Sequence, residues 1–400
     1  MLSVAEALVA ILKETRVLPV ERRSVAESLG AILAETTFSD VDSPPFTKAL
    51  MDGYALRAED CQTLPATLRV IEEIRAGRVP SLPVKTGEAT RIMTGAPVPE
   101  GADTVVMVER TEAIPPTGVR IIGPIKKNQN ILDRASEMKA GEAILAAGVR
   151  LSPQDLGLLA AIGYADVAVH AQPRVAVLST GDEVVEAPAK PGPGQIRNSN
   201  GPMLMGQSSR AGATARYLGI ARDQIEELKA KIEDGLNNSN VLILSGGVSA
   251  GKFDLVPDVL RDAGVVSHFH KVAMKPGKPL FFGTKESTLV FGLPGNPVSS
   301  FVAFELFIRP ALAKQQGERE PGPRRVMLPI AADMQSDSDR PTYWPGRIED
   351  STSGFFVRAL PYFGSADLRA LHSANALLVL PPGPVAWRAG EAVPVIVLNT

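Results

Sequence analysis

Two glycine-rich breaks carry the densest chemistry in this chain. The first is Ser245-Gly246-Gly247-Val248-Ser249-Ala250-Gly251-Lys252-Phe253-Asp254, entered from the apolar run Val241-Leu242-Ile243-Leu244. The second, Gly292-Leu293-Pro294-Gly295-Asn296-Pro297, is entered from Leu289-Val290-Phe291. Glycine lets backbone N–H groups close on an anion that a Cβ would hold off. Acids stand at neighbouring breaks: Asp182 and Glu183 after Thr180-Gly181, Asp223 after Arg222, and Asp254. Lys275 and Lys278 flank Pro276-Gly277. Carboxylates beside a phosphate repel it unless a divalent cation intervenes, so the set implies Mg²⁺. The lysines offer point charges to an oxyanion. Taken singly, each acid reads as a solvated loop end or a helix cap; together they read as a phosphate-handling crevice. Gly246 to Phe253 comes close to the nucleotide-binding pattern G-x-x-x-x-G-K-[ST], whose last hydroxyl holds Mg²⁺. Phe253 stands at that position, which weighs against a nucleoside triphosphatase.

The elements that must position these loops follow from periodicity. A short apolar run ended by glycines and followed by helical spacing reads as a buried parallel strand feeding a helix. Strands are predicted at 175–178, 213–218, 241–244 and 289–291, with helices at 201–211, 224–234, 255–263 and 298–312. Residues 171–315 thus form an α/β domain whose strand ends share one rim, where such sheets bind ligands. Residues 1–38 read as two helices, from the spacings Val4, Leu8, Ile11, Leu12 and Val25, Leu29, Ile32, Leu33. Together with 138–170, where Pro153 starts another helix, they bracket residues 39–137. That bracketed stretch is dense in glycine and proline between short apolar runs, as a small inserted β domain would be. It carries two irregular loops, 51–55 and 93–103, for which turn formation is a sufficient explanation. Residues 320–400 form a last β module with runs at 326–330, 355–360, 376–380 and 393–398.

Composition narrows the class. A chain of 400 residues is too long for one ordinary core, and 44% hydrophobic with 22% charged residues is ordinary for a globular protein. A formal charge of −2 gives no reason to expect nucleic acid or a membrane surface as partner. One cysteine excludes an internal disulfide framework and a cysteine-rich zinc site, and with four histidines a multi-histidine metal centre is not expected. The start carries Glu6 within its apolar stretch and no basic leader, so a cytoplasmic protein is expected.

Six stretches, 51–55, 93–99, 180–183, 245–251, 275–279 and 293–299, occur in the order and spacing of the molybdopterin molybdenumtransferase family, which includes bacterial MoeA and the gephyrin E-domain. The chain resembles that family over nearly its whole length. The resemblance implies a multidomain α/β fold: a discontinuous helical and extended dimerisation domain (1–38 plus 138–170), an inserted β domain (39–137), an α/β molybdopterin-binding domain (171–315) and a C-terminal β barrel (320–400). It also implies a molybdenum insertase, with Mg²⁺- and molybdate-dependent cleavage of adenylylated molybdopterin that releases AMP. Carried over by motif, Asp52 and Thr94 would reach in from the partner subunit of a homodimer. Glu183, Asp223 and Asp254 would hold Mg²⁺ and orient water. Ser245, Gly246, Gly247 and Ser249 would cradle phosphate or nucleotide, and Pro294, Gly295, Asn296 and Pro297 would shape the pterin side. Lys275, Lys278, Ser299, Arg340 and Ser365 match the molybdate pocket, and the molybdopterin-adenylating enzyme becomes a candidate partner.

The chain departs from the family pattern at three places. Thr47-Lys48-Ala49-Leu50 replaces the usual Asp-Asn-Ser-Ala, Arg134-Ala135-Ser136-Glu137 replaces Arg-Gly-Glu-Asp, and Tyr343-Trp344-Pro345-Gly346 loses an arginine, with Arg347 next to it. These motivate an alternative: a non-catalytic homologue that binds molybdopterin or AMP as a scaffold. A third reading, adenylylation of molybdopterin by the α/β domain, needs ATP turnover, for which Phe253 after Lys252 offers no help.

Overall fold

Apolar residues at consecutive positions mark strands covered on both faces, and the largest sheet of the first unit is built from such runs. A computed structural model describes residues 1–247, 255–352 and 354–398. Its chain divides into two units: Met1–Glu35, Gly148–Ser152 and Asp166–Thr400 in the first, Thr36–Ala147 and Pro153–Ala165 in the second.

In the first unit, helix α1 (Val4–Glu14) begins with a reciprocal cap in which Ser3 Oγ accepts from Glu6 N and Glu6 Oε2 accepts from Ser3 N. The central sheet has six strands: β1 (Arg174–Thr180), β2 (Thr214–Ala221), β3 (Val241–Ser245), β4 (Val266–Lys271), β5 (Pro279–Lys285) and β6 (Thr288–Leu293). Their order is β2-β1-β3-β6-β5-β4, parallel from β2 to β6, with β5 antiparallel to both of its neighbours, β6 and β4. Alternate side chains feed two cores. Val175, Val177, Val241, Ile243 and Phe291 pack with α1, α2 (Asn200–Arg210), α5 (Pro297–Ala303) and α6 (Arg309–Gln315), whereas Ala176, Leu178, Leu242 and Leu244 pack with α3 (Ile225–Asn238) and α4 (Val256–Asp262). A turn of π-helix, Phe304–Ile308, joins α5 to α6.

Strand β5, absent from the expected strands, supplies Phe282, whose ring lies 5.5 Å from Phe269 and 5.1 Å from Phe291. The apolar triplet Leu280-Phe281-Phe282 is its signal. The second N-terminal helix does not form. Val20–Ser24 is a strand paired with Asp166–His170, followed by the short turn Val25–Glu27. β-Branched Val20 and the ion pair of Arg22 with Asp166 favour the extended pairing. Ile32 and Leu33 are buried through bridges to Arg150 and Val169, not through a helical face.

The last strands make a five-stranded sheet in the order Arg325–Pro329, Ala392–Val397, Ala376–Leu380, Thr342–Ser351, Gly354–Ala359. Its two edges meet where Ile330 bridges Val357 and Ala331 N donates to Val357 O, so the sheet closes on itself. Met334–Ser338 pairs with Gly383–Trp387 alongside it.

The second unit holds another six-stranded sheet, in the order Thr104–Met107, Gly53–Leu56, Glu88–Ile92, Ala66–Ile74, Gly118–Ile121, Thr111–Ile114, together with the helix Pro153–Ala161. Among the described residues no helix is long and apolar enough to cross a membrane.

Phe282 is fully buried between two further rings. Phe282→Ala should lower the unfolding free energy by about 3–5 kcal/mol, measured by denaturant titration.

Candidate active site

The order of strands reverses beside β1, with β2 on one side and β3 on the other, so a crevice opens outside their carboxyl ends. Residues from four segments line a cleft of about 260 Å³ there: Ser179 and Thr180 at the end of β1 with Glu183 beyond it, Asn198 and Asn200 at the start of α2, Ser245 ending β3 with Gly246 after it, and Gly295 and Asn296 after β6.

Buried side-chain amides hold these segments in register. Asn200 Nδ2 donates to Ser245 Oγ at 2.7 Å and to Gly295 O at 2.8 Å. Its Oδ1 is buried with no partner among the described residues, leaving an acceptor for a ligand N–H or O–H. Asn198 Oδ1 accepts from Gly201 N at 2.9 Å and Ser179 Oγ at 3.2 Å, and its Nδ2 donates to Tyr217 Oη at 2.6 Å. Tyr217 Oη in turn donates to Glu186 at 3.0 Å. Burial, and then this bond to the Glu186 carboxylate, push the phenol up to about 12, so it stays a neutral donor.

Gly246 has φ +94°, and a Cβ there would stand 2.5 Å from Thr180 O. The glycine is therefore needed for β1 and β3 to end this close together. Its own N–H donates to Leu293 O at 3.1 Å. Glu183 is exposed at the cleft wall. Asp223 lies on the adjoining loop, where its N–H donates to Asp182 Oδ1 at 3.2 Å and Arg222 Nη1 donates to Asp182 O at 2.8 Å. Gly247, Pro294 and Pro297 flank the cleft-lining residues in sequence. Ser249 and Asp254 lie outside the described residues. Among the described residues no three acidic, histidine or cysteine side chains form a metal-holding group. Glu183 and Asp223 still supply the hard oxygen donors that suit Mg²⁺, which commonly takes one or two carboxylates and fills its remaining positions with phosphate oxygens and water.

The other expected anion-binding residues gather where the α/β sheet meets the C-terminal sheet. Lys275 N donates to Pro341 O at 2.9 Å, and Lys275 O accepts from Tyr343 N at 2.8 Å, which ties the Lys275–Lys278 turn to the segment after Arg340. A Cβ on Gly277 would lie 3.5 Å from Ser299 O, and Ser365 O accepts from Val298 N at 2.9 Å. Neither lysine forms an ion pair with a described residue, whereas Arg340 Nε lies 3.0 Å from Asp339.

Asp52 and Thr94 meet in the second unit. Asp52 Oδ1 accepts from Thr94 N and Thr94 Oγ1, both at 2.7 Å. Gly53 follows because a Cβ there would run into Val106 O at 1.9 Å. At the altered stretch, Glu137 accepts from Ser43 Oγ at 2.7 Å and lies 4.0 Å from Lys48 Nζ, so the new lysine faces the retained acid.

Asn198, Asn200 and Tyr217 are site-forming residues that motif reading left unassigned; the polar run Asn198-Ser199-Asn200 before a helix is the signal that could have found the first two. The backbone and hydroxyl bonds from Thr94 hold the Asp52 carboxyl below the usual carboxylate range. Any stability this gives is present above the ordinary aspartate pKa and is lost as pH falls through the depressed one. Thr94→Val should raise the Asp52 titration midpoint toward the ordinary aspartate value, read by NMR.

The chain matches three family models in order: the MoeA N-terminal region (domain I and II) over residues 2–163, a probable molybdopterin binding domain over 176–314, and the MoeA C-terminal region (domain IV) over 328–398. It is 33% identical over 363 residues to molybdopterin molybdenumtransferases of Staphylococcus aureus and Staphylococcus epidermidis, covering 90% of this chain and 86% of each relative. The crystal structure of the molybdopterin biosynthesis MoeA protein from Pyrococcus horikoshii OT3 superimposes with a TM-score of 0.85 at 31% identity, covering 99% of this chain and 100% of that one. A molybdenum cofactor biosynthesis protein from Pyrococcus furiosus, 18% identical, shares the fold with a TM-score of 0.61. With its matches running in family order along the whole chain, this protein belongs to the molybdopterin molybdenumtransferase family, the enzymes that transfer molybdenum to molybdopterin in molybdenum cofactor biosynthesis.

Proposed function

We propose that this cytoplasmic enzyme cleaves adenylylated molybdopterin at the strand-end cleft, releasing AMP as molybdate delivers its metal to the dithiolene. The observation that carries this reading is the convergence of Glu183, Asn200, Ser245 and Asn296 on one cleft in a chain of this family. Asn200 Oδ1 and the Ser245 hydroxyl orient the substrate by hydrogen bonds, and Asn296 with Gly295, Pro294 and Pro297 shapes the pterin side. Gly246, Gly247 and Ser249 border the phosphates. Glu183, with Asp223 and Asp254, would hold Mg²⁺ and orient the attacking water. Bound there, Mg²⁺ would neutralise charge on the phosphoanhydride oxygens as the bond breaks. Lys275, Lys278, Ser299, Arg340 and Ser365 would receive molybdate, a tetrahedral dianion suited to ammonium and hydroxyl donors.

The remaining features of this reading concern assembly. The chain would act as a four-domain homodimer, with Asp52 and Thr94 of one subunit completing the cleft of the other. Adenylylated molybdopterin would come from the molybdopterin-adenylating enzyme. The ion pair of Lys48 with Glu137 favours a retained, altered edge to the inserted domain over a lost one.

Wild-type protein given adenylylated molybdopterin, Mg²⁺ and molybdate should release AMP, with Asp52→Ala and Glu183→Ala each lowering the rate at least about a hundredfold. Mixing the two variants should restore up to a quarter of the wild-type rate, because some heterodimers regain one intact site. Tight substrate binding with no AMP from the wild type would leave the scaffold reading; no recovery on mixing would refute the shared site.

A further inference from the structure

Four arginines converge at a second cleft in the first unit. Arg150, Arg210, Arg309 and Arg324 line a cavity of about 300 Å³, with Glu318 on its wall. Beneath it lies Glu305, fully buried where the π-helical turn directs it inward. Arg210 Nη2 stands 2.7 Å from Glu305 Oε1 and Arg309 Nε 2.9 Å from Oε2, so one carboxylate holds two guanidiniums side by side. Gln207 Nε2 also donates to Oε1, at 2.8 Å. Arg150 donates to Gly30 O and to Glu318 Oε2, both at 2.8 Å.

Among the described residues, two carboxylates stand against four guanidiniums in this concave site. Arg309 Nη2 is buried there with no hydrogen-bond partner among the described residues, a costly arrangement unless something enters to accept from it. Arg324, exposed at the mouth, forms no ion pair with a described residue. Guanidinium forks match tetrahedral oxyanions geometrically, and π-helical turns recur at functional sites.

We propose that this cleft binds a compact multivalent oxyanion of the phosphate type, at a site separate from the strand-end cleft and from the Lys275–Lys278 turn. Arg309 Nη2 and Arg324 would donate to the anion while Glu305 and Glu318 keep the other guanidiniums in place.

The test is calorimetric titration of the full-length protein with inorganic phosphate at constant ionic strength, paired with thermal unfolding. Saturable binding and a rising unfolding midpoint are expected. Arg324→Gln should weaken binding about tenfold, as loss of one charge-assisted contact would. Since Arg324 makes no ion pair with a described residue, an unchanged midpoint without phosphate will show that this variant is folded. Lys275→Gln, altered at the other anion-binding cluster, should retain the component of phosphate binding that Arg324→Gln weakens. A parallel titration with glycerol 3-phosphate separates recognition of a phosphate ester, seen as tighter binding, from recognition of the free ion. Absence of saturable binding, equal affinity in Arg324→Gln, or loss of binding in Lys275→Gln alone would each overturn the site.

Discussion

One side chain decides whether the strand-end cleft exists. Asn200 spends both hydrogens of its amide on other segments, Ser245 Oγ at the end of β3 and Gly295 O after β6. It thereby ties the start of α2 to two strand ends from inside the protein. Buried hydrogen bonds of this kind contribute modestly when made and cost heavily when broken, so the three loops hold their spacing together or lose it together. The carbonyl of the same side chain is left over. In the proposed function that acceptor would meet the ligand.

Around this knot the sheet supplies rigidity and the glycines supply proximity. β1 and β3 are buried on both faces, which fixes their ends, and Gly246 lets those ends come within contact distance of each other. Tyr217 extends the bracing outward, because its neutral phenol links Asn198 to Glu186. Charge is arranged on top of this frame. Glu183 stands at the wall, and the loop carrying Asp223 is fastened to Asp182. The lysines sit apart, on a turn whose backbone is bound to the C-terminal strands. Acidic and basic groups are thus kept on separate supports.

The parallel core was legible because its signal is local: apolar runs ended by glycine identify β1, β3 and β6 from the order of residues alone. The helices of the α/β domain follow from apolar spacing in the same way. Strand β5 and the polar strand Met334–Ser338 were harder, since burial of one depends on neighbouring aromatic rings and the other alternates with exposed residues. The spacing of Val25, Leu29, Ile32 and Leu33 imitates a helix, yet Leu29 is exposed, Val25 sits in a short turn, and Ile32 and Leu33 are buried where they bridge distant segments. Asn198 and Asn200 show a similar limit at the site. As isolated residues at a helix start they look like capping material, and only tertiary contacts, 19 positions away for Asn198 and 45 and 95 for Asn200, reveal that they assemble the cleft.

The most direct measurement is a crystal structure of this protein soaked with AMP and molybdate. The AMP phosphate is expected beside Glu183 and the ends of β1 and β3, with Asn200 Oδ1 accepting from the ligand and molybdate against Lys275 and Lys278. AMP bound elsewhere while the strand-end cleft holds only water would contradict that placement.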